Sequence, residues 1–236
     1  MTWDNTNPIT VGREFQLFYL SLTDVTESFG LVSKDLNFSE DICAYILQKG
    51  FSVSQRMGWQ QGTCWVKKLD KKELRNFPAR RFTNSVSIYL RNSPSGFFPK
   101  PLALVYRGNP LDALTQTKEG YFLSHFVGNK RLYDLFENLS YTKRQAIMQR
   151  LGESLRRCAE IGVYPLDFAP RDIVLEPYNS KSKFGIPVIV DTEHVEFGEP
   201  NDAKLIKKQR QQFRADYEPF FSERKLDKLE SLVFPA

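Results

Sequence analysis

The spacing of hydrophobic positions changes character partway along the chain, from a period of two to one of about 3.6. In the first half, QLFYLSL (residues 16–22) is an apolar run that suits either a strand or a buried helical turn, and residues 1–40 otherwise carry no assignable element. SEDICAYILQKG has a helix-start signal in Ser39, followed by Glu40 and Asp41, and a stop at Gly50. FSVSQRM and TCWVKKL alternate and are rich in β formers, which predicts an antiparallel hairpin turning between Gly58 and Gly62. Residues 71–92 read as helical in the middle, with Pro78 near a start. FPKPLALVYRG is pushed out of the α region by its prolines and enters a strand, and GYFLSHFVG is another strand closed by Gly128.

The second half is helical in period. RLYDLFENL predicts a short helix, and TKRQAIMQRLGESLRRCAEIG a long one, with Ile147, Leu151, Leu155 and Cys158 on one face and Gly162 as its stop. Two short apolar strands, DIVLEP and IPVIVD, flank the turn-rich YNSKSKFG. A basic amphipathic helix and a shorter helix, SERKLDKLESLVF, complete the order. Strands first and helices second predict an α+β protein of two lobes, 1–125 and 126–236, joined near residues 125–130.

Composition narrows the class. A chain of 236 residues with 41% apolar and 14% aromatic residues can build a packed core and is not globally disordered. No apolar run approaches the roughly 20 residues that span a bilayer, and the polar start MTWDNTNPITVGREF lacks the order of a signal peptide. Cys43, Cys64 and Cys158, with only two histidines, form no metal pattern and suit reduced thiols in the cytoplasm. The net charge of +5 favours a phosphate-bearing partner: nucleotide, nucleic acid or anionic lipid. Lys204, Lys207, Lys208, Arg210 and Arg214 concentrate that charge on one helix, either as a solvated face or as a peripheral contact with the inner membrane.

The candidate chemistry lies in GVYPLDFAPRDIVL, residues 162–175. Asp167 follows the long helix, Asp172 stands at the mouth of the next strand, and Asp191 ends the strand after that. Each carboxylate taken singly could cap a turn. Like charges gathered in an apolar setting instead call for a cation or a proton. Mg²⁺ takes hard oxygen ligands from one or two carboxylates and the rest from phosphates and water. A third carboxylate, offset from such a pair, could accept a proton from a substrate hydroxyl.

VYPLDFAPRDIVL resembles the catalytic loop of the protein-kinase-like superfamily, His-x-Asp-Leu-Lys-Pro-x-Asn-Ile-Leu. The resemblance implies Asp167 as the catalytic residue and Asp172 as a metal ligand in place of the usual Asn. IPVIVDTEH resembles the strand leading to the second metal ligand and implies Asp191 in that role. CWVKKL is similar to the third-strand Val-Ala-Ile-Lys motif and implies Lys67 on the nucleotide phosphates. YFLSHFVGNKRLYDLF resembles the hinge behind the adenine, which implies nucleotide contact through the backbone of His125. The resemblance runs from about residue 50 to 215 and is closest in style to short bacterial lipopolysaccharide (Kdo/heptose) kinases and to the kinase-like family linked to the PhoP regulatory network. It implies a minimal two-lobed kinase-like fold, a β-rich lobe and a short helical one, with Mg-ATP bound between them.

Several of the family's usual residues are replaced. Pro165, Leu166 and Ala169 stand where the loop has His, Arg and Lys, and no Gly-x-Gly-x-x-Gly precedes Lys67. The helix after Lys67 contains no Glu between Ala79 and Leu90; Glu73 is the nearest acid, and Arg80 or Arg81 are alternative phosphate cations. The leading expectation is an ATP-dependent phosphotransferase acting on a hydroxyl of a lipopolysaccharide-type glycolipid or of a protein. The alternative is a pseudokinase, a nucleotide-binding or regulatory interaction module. A basic nucleic-acid-binding protein ranks last, because it leaves the aspartates unexplained.

Overall fold

Short β-branched and aromatic runs in the first half build an antiparallel sheet, and long amphipathic segments in the second build helices around a separate core. The computed structural model describes residues 9–11, 15–19, 59–61, 64–74, 79–91, 97–107, 119–128, 130–136, 138–176 and 185–235. The chain divides into two units: unit 1 is residues 1–83 and 100–126, and unit 2 is residues 84–99 and 127–236.

Unit 1 contains β1 (Ile9–Val11), β2 (Phe15–Tyr19), β3 (Trp59–Gln61), β4 (Cys64–Lys68), β5 (Pro101–Arg107) and β6 (Glu119–His125). They form one sheet in the order β1-β2-β5-β6-β4-β3, every neighbouring pair antiparallel. The central strand β5 is buried from Pro101 to Tyr106, as its unbroken apolar run requires. Phe15–Tyr19 is a strand, which resolves the choice that QLFYLSL left open. The hairpin exists, but its turn is displaced: Gln61 pairs with Cys64, so Trp59–Gln61 is strand and only Gly62 and Thr63 intervene. The FSVSQRM segment and the helix expected from Ser39 lie outside the described residues.

Helix α1 (Lys71–Leu74) follows β4, and α2 (Arg80–Leu90) follows it, with the unit boundary falling inside α2 after Thr83. Asp70 starts α1 as a reciprocal cap. Its Oδ1 accepts from the backbone N–H groups of Lys72 and Glu73, and Glu73 Oε2 accepts from the Asp70 N–H. The other oxygen, Glu73 Oε1, takes Arg81 Nε at 2.8 Å, with both side chains at most 3% exposed. Glu73 is therefore engaged with Arg81, and Arg81 is a buried structural cation.

Unit 2 holds α3 (Leu132–Phe136), α4 (Tyr141–Glu160), β7 (Val163–Pro165), β8 (Ile173–Glu176), β9 (Ile186–Ile189), β10 (Val195–Phe197), α5 (Ala203–Tyr217) and α6 (Glu223–Val233). Ser140 caps α4, and Ile147, Leu151, Leu155 and Cys158 face the core as their spacing predicts. Gly162 ends the helix segment at φ +69°, and a Cβ there would lie 2.2 Å from the Gly198 carbonyl oxygen. Strands β8 and β9 pair as an antiparallel hairpin, while β7 pairs with β10, thirty residues further along. That second pair was not foreseen: three-residue strands show no measurable period.

Helix α6 packs on α4 so closely that a Cβ at Gly152 would sit 2.6 Å from the Val233 carbonyl oxygen and 2.7 Å from its Cα. Backbone cannot yield as a flexible side chain does. Gly152→Ala is expected to destabilise by about 1–3 kcal/mol, the usual cost of overpacking, read as a lower midpoint in chemical denaturation. Removing the guanidinium of the buried pair by Arg81→Ala leaves Glu73 uncompensated, with an expected loss of about 3–5 kcal/mol. Arg81→Ala with Glu73→Gln together should recover part of it in the same assay.

Candidate active site

Residues 166–169, between β7 and a 3-10 turn at Pro170–Asp172, have no regular structure, so their shape has to come from the contacts around them. Four sets of contacts supply it. The Leu166 N–H donates to the His194 carbonyl at 2.8 Å, extending the β7–β10 pairing. Gln209 of α5, 1% exposed, donates Nε2 to the Pro165 carbonyl at 3.0 Å. Tyr217 of the same helix donates its hydroxyl to the Phe168 carbonyl at 3.2 Å, and Phe213 stacks on Phe168. Finally, Pro170–Asp172 forms a 3-10 turn closed by the Asp172 N–H on the Ala169 carbonyl, which feeds directly into β8.

Gln209, Phe213 and Tyr217 fall four residues apart, a buried stripe on an otherwise charged helix. The sequence offered that signal, but the density of lysine and arginine obscured it. The cations themselves are largely engaged within unit 2. Lys208 pairs with Glu196, Arg210 with Glu230 at 3.2 Å, and Arg214 with Asp227 and Glu230. Lys204 and Lys207 are exposed.

The β8–β9 register decides where the carboxylates fall. Ile173 faces Ile189, and the Val190 N–H donates to the Asp172 carbonyl at 3.0 Å, so Asp172 and Asp191 leave the hairpin at the same end. Asp191 turns back on itself, its Oδ1 accepting the Glu193 N–H at 2.9 Å. The following residue is held by α2: Asn84 Nδ2 donates to the carbonyls of Thr192 and Glu193, and the Ser85 and Thr192 hydroxyls meet at 2.6 Å in a buried contact. Asp167 is partly exposed on the loop.

Asp172 registers this crowding. Burial, then the charge of Asp167, then that of Asp191 push its carboxyl up to about 6, against a partial offset from Arg171, whose Nε lies 3.1 Å from its Oδ2. A fourth carboxylate, which the sequence reading missed, belongs to α5. Asp216 is raised as well, mainly by burial and in part by Asp172, while a hydrogen bond from Gln212 and the charge of Arg171 lower it. Its other oxygen, Oδ2, is buried and makes no hydrogen bond. A lone acid in a basic helix gave no period or motif to mark it.

Asp167, Asp172 and Asp191 are thus brought into one electrostatic neighbourhood within unit 2. Lys67 and His125 belong to unit 1. Lys67 lies in β4 opposite Phe122 and is partly exposed, and His125 closes β6 with its N–H donated to the Lys100 carbonyl at 2.9 Å. His194 is exposed, and its role in the fold is played by its carbonyl. Among the described residues no group of three or more His, Cys, Asp or Glu side chains is gathered to hold a metal ion. Two hard carboxylates that leave one hairpin at the same end, Asp172 and Asp191, do suit a cation that keeps phosphate and water as its remaining ligands. No helix among the described residues is long and apolar enough to cross a membrane.

A carboxyl whose folded pKa lies above its unfolded value holds its proton more tightly in the folded chain. It contributes stability at acid pH and loses that contribution as pH rises through about 6. In the metal-free protein, the stability of wild type relative to Asp172→Asn is therefore expected to fall between about pH 4 and pH 7. Thermal melts of both proteins across that range measure it, and parallel curves would refute the assignment.

No protein-family model matches the chain, and no curated protein matches it. Among solved structures it is similar to WaaP in complex with acyl carrier protein, at 10% identity and a TM-score of 0.47, over 80% of this chain and 82% of that one. It is also similar to the Cydia pomonella granulovirus kinase PK-1, at 10% identity and a TM-score of 0.45, over 81% of this chain and 80% of that one. A strand-rich unit and a helical unit, the latter with a loop and hairpin carrying Asp167, Asp172 and Asp191, make an α+β fold.

Proposed function

We propose that the chain is an ATP-dependent phosphotransferase that moves the γ-phosphoryl group to a hydroxyl acceptor. One observation carries the reading: the β8–β9 register and the Val190 N–H on the Asp172 carbonyl bring Asp172 and Asp191 out at the same end of one hairpin, with Asp167 on the pinned loop just before it. Carboxylates that merely cap turns have no reason to be gathered against their own repulsion.

In this reading Asp172 and Asp191 hold Mg²⁺, which neutralises charge on the transferring phosphates when bound. Asp167 orients the acceptor hydroxyl and takes its proton. Lys67 on the α/β-phosphates and His125 at the adenine are assigned by likeness to the family's motifs. The acceptor is a sugar hydroxyl of a lipopolysaccharide-type glycolipid or a protein side chain. Any peripheral contact of α5 with an anionic membrane starts from Lys204 and Lys207, which are exposed on that helix. A second reading, a nucleotide-binding regulatory module without turnover, draws support from Pro165, Leu166 and Ala169 in the loop and from Arg171 lying on Asp172.

Saturating Mg-ATP is expected to stabilise the protein by about 2–3 kcal/mol, with ATP consumed in the presence of acceptor. Asp167→Asn should keep the thermal shift and lower kcat by about 10²–10⁴-fold. Asp191→Ala should lose both. A shift without turnover in wild type selects the regulatory module; neither shift nor turnover sinks both readings.

A further inference from the structure

Arg171 is the one residue of the loop that opposes the gathered carboxylates, and it does so from an exposed position. Its Nε lies 3.1 Å from Asp172 Oδ2, while its side chain remains 68% exposed and that of Asp172 only 19%. A guanidinium has five donors, and one carboxylate contact leaves most of them to water. The pair is therefore of the weak, exposed kind. It nevertheless covers an oxygen of the same carboxylate that the proposed metal would need. Such a contact and a cation on Asp172 are competitors.

A second carboxylate stands ready to receive the guanidinium. Asp216 comes from the last turn of α5, one residue before Tyr217, whose hydroxyl is fixed to the Phe168 carbonyl at 3.2 Å. That anchor ties the last turn of α5 to the loop. Gln212 occupies Oδ1 of Asp216 at 2.9 Å, but Oδ2 is buried and unpartnered, an arrangement that costs free energy unless something completes it. Arg171 already lies in the field of Asp216 as well as of Asp172 and Asp167.

Resting on the metal reading given above, we propose that Arg171 is a resident counter-ion of Asp172 that moves to Asp216 Oδ2 when a divalent cation takes its place. Asp216 is then a positioning residue: it acts on the metal carboxylate through Arg171 and touches neither substrate nor metal. The two seats keep the loop charge-balanced with and without the cation. They also make cation affinity depend on a helix that contributes no ligand.

The test is direct titration of the full chain with Mn²⁺ alone, without nucleotide, at fixed pH and ionic strength, with a melt of each variant to confirm folding. Arg171→Gln removes the competitor and should tighten Mn²⁺ binding about threefold, the scale of an exposed ion pair. Asp216→Asn removes the second seat, leaves Arg171 on Asp172, and should weaken binding by about the same factor. In the Arg171→Gln background, Asp216→Asn should have no further effect. If Asp216→Asn weakens Mn²⁺ equally in both backgrounds, Asp216 acts on the cation itself and the exchange is overturned. Unchanged affinity in Arg171→Gln overturns it as well. Should neither wild type nor any variant bind Mn²⁺, while Asp191→Asn melts like wild type with and without the ion, the metal reading fails and takes this proposal with it.

Discussion

Carboxylates repel one another, and the repulsion grows as water is withdrawn from around them. Unit 2 is organised to hold Asp167, Asp172 and Asp191 near each other in spite of it. No local propensity does so, since the segment between β7 and β8 is mostly irregular. The force comes from backbone groups that would be left without partners if the loop moved: the Pro165 and Phe168 carbonyls, held by Gln209 and Tyr217, and the Leu166 N–H, held by His194. An unmade bond at each of those groups costs about 1–3 kcal/mol, comparable in scale to the repulsion that it restrains.

The two units treat buried charge in opposite ways. In unit 1, Glu73 has both oxygens engaged, one on the Asp70 N–H and one on Arg81, and the pair is almost wholly out of water. Nothing is left for a ligand to complete. In unit 2, Asp172 keeps one exposed arginine against the pull of two other carboxylates, and Asp216 keeps an oxygen with no partner. Fully compensated charge reads as architecture, and partly compensated charge as a place prepared for something to bind.

How much of this the sequence disclosed follows from the length over which each signal runs. Helix α4 repeats its apolar stripe from Ile147 to Ala159, more than three turns, and was legible, as were the runs that became β5, β6, β8 and β9. The hairpin of β3 and β4 was legible as a hairpin, but Trp59–Gln61 looked like turn because glycines flank it and glutamines fill it. β7 and β10 are three residues each and are defined only by one another. Asp167, Asp172 and Asp191 were singled out as candidates because motif order survives the loss of neighbours such as the loop's usual His and Lys. Asp216 was not found, because its place in the site depends on how α5 docks, and docking has no local spelling. Gln209 lies between these cases: an amide in a four-residue stripe was visible but outweighed by the charges around it.

The ties on the loop reach far along the chain. Pro165 is bonded to a residue 44 positions away and Phe168 to one 49 away. A segment shaped by such distant partners cannot acquire its conformation early, because the entropy of closing those long loops has to be overcome first. The aspartate loop should therefore take its shape only once α5 has docked, since Gln209 and Tyr217 both belong to that helix. Any loosening of α5 would then reach the carboxylates directly, although that helix supplies none of the three.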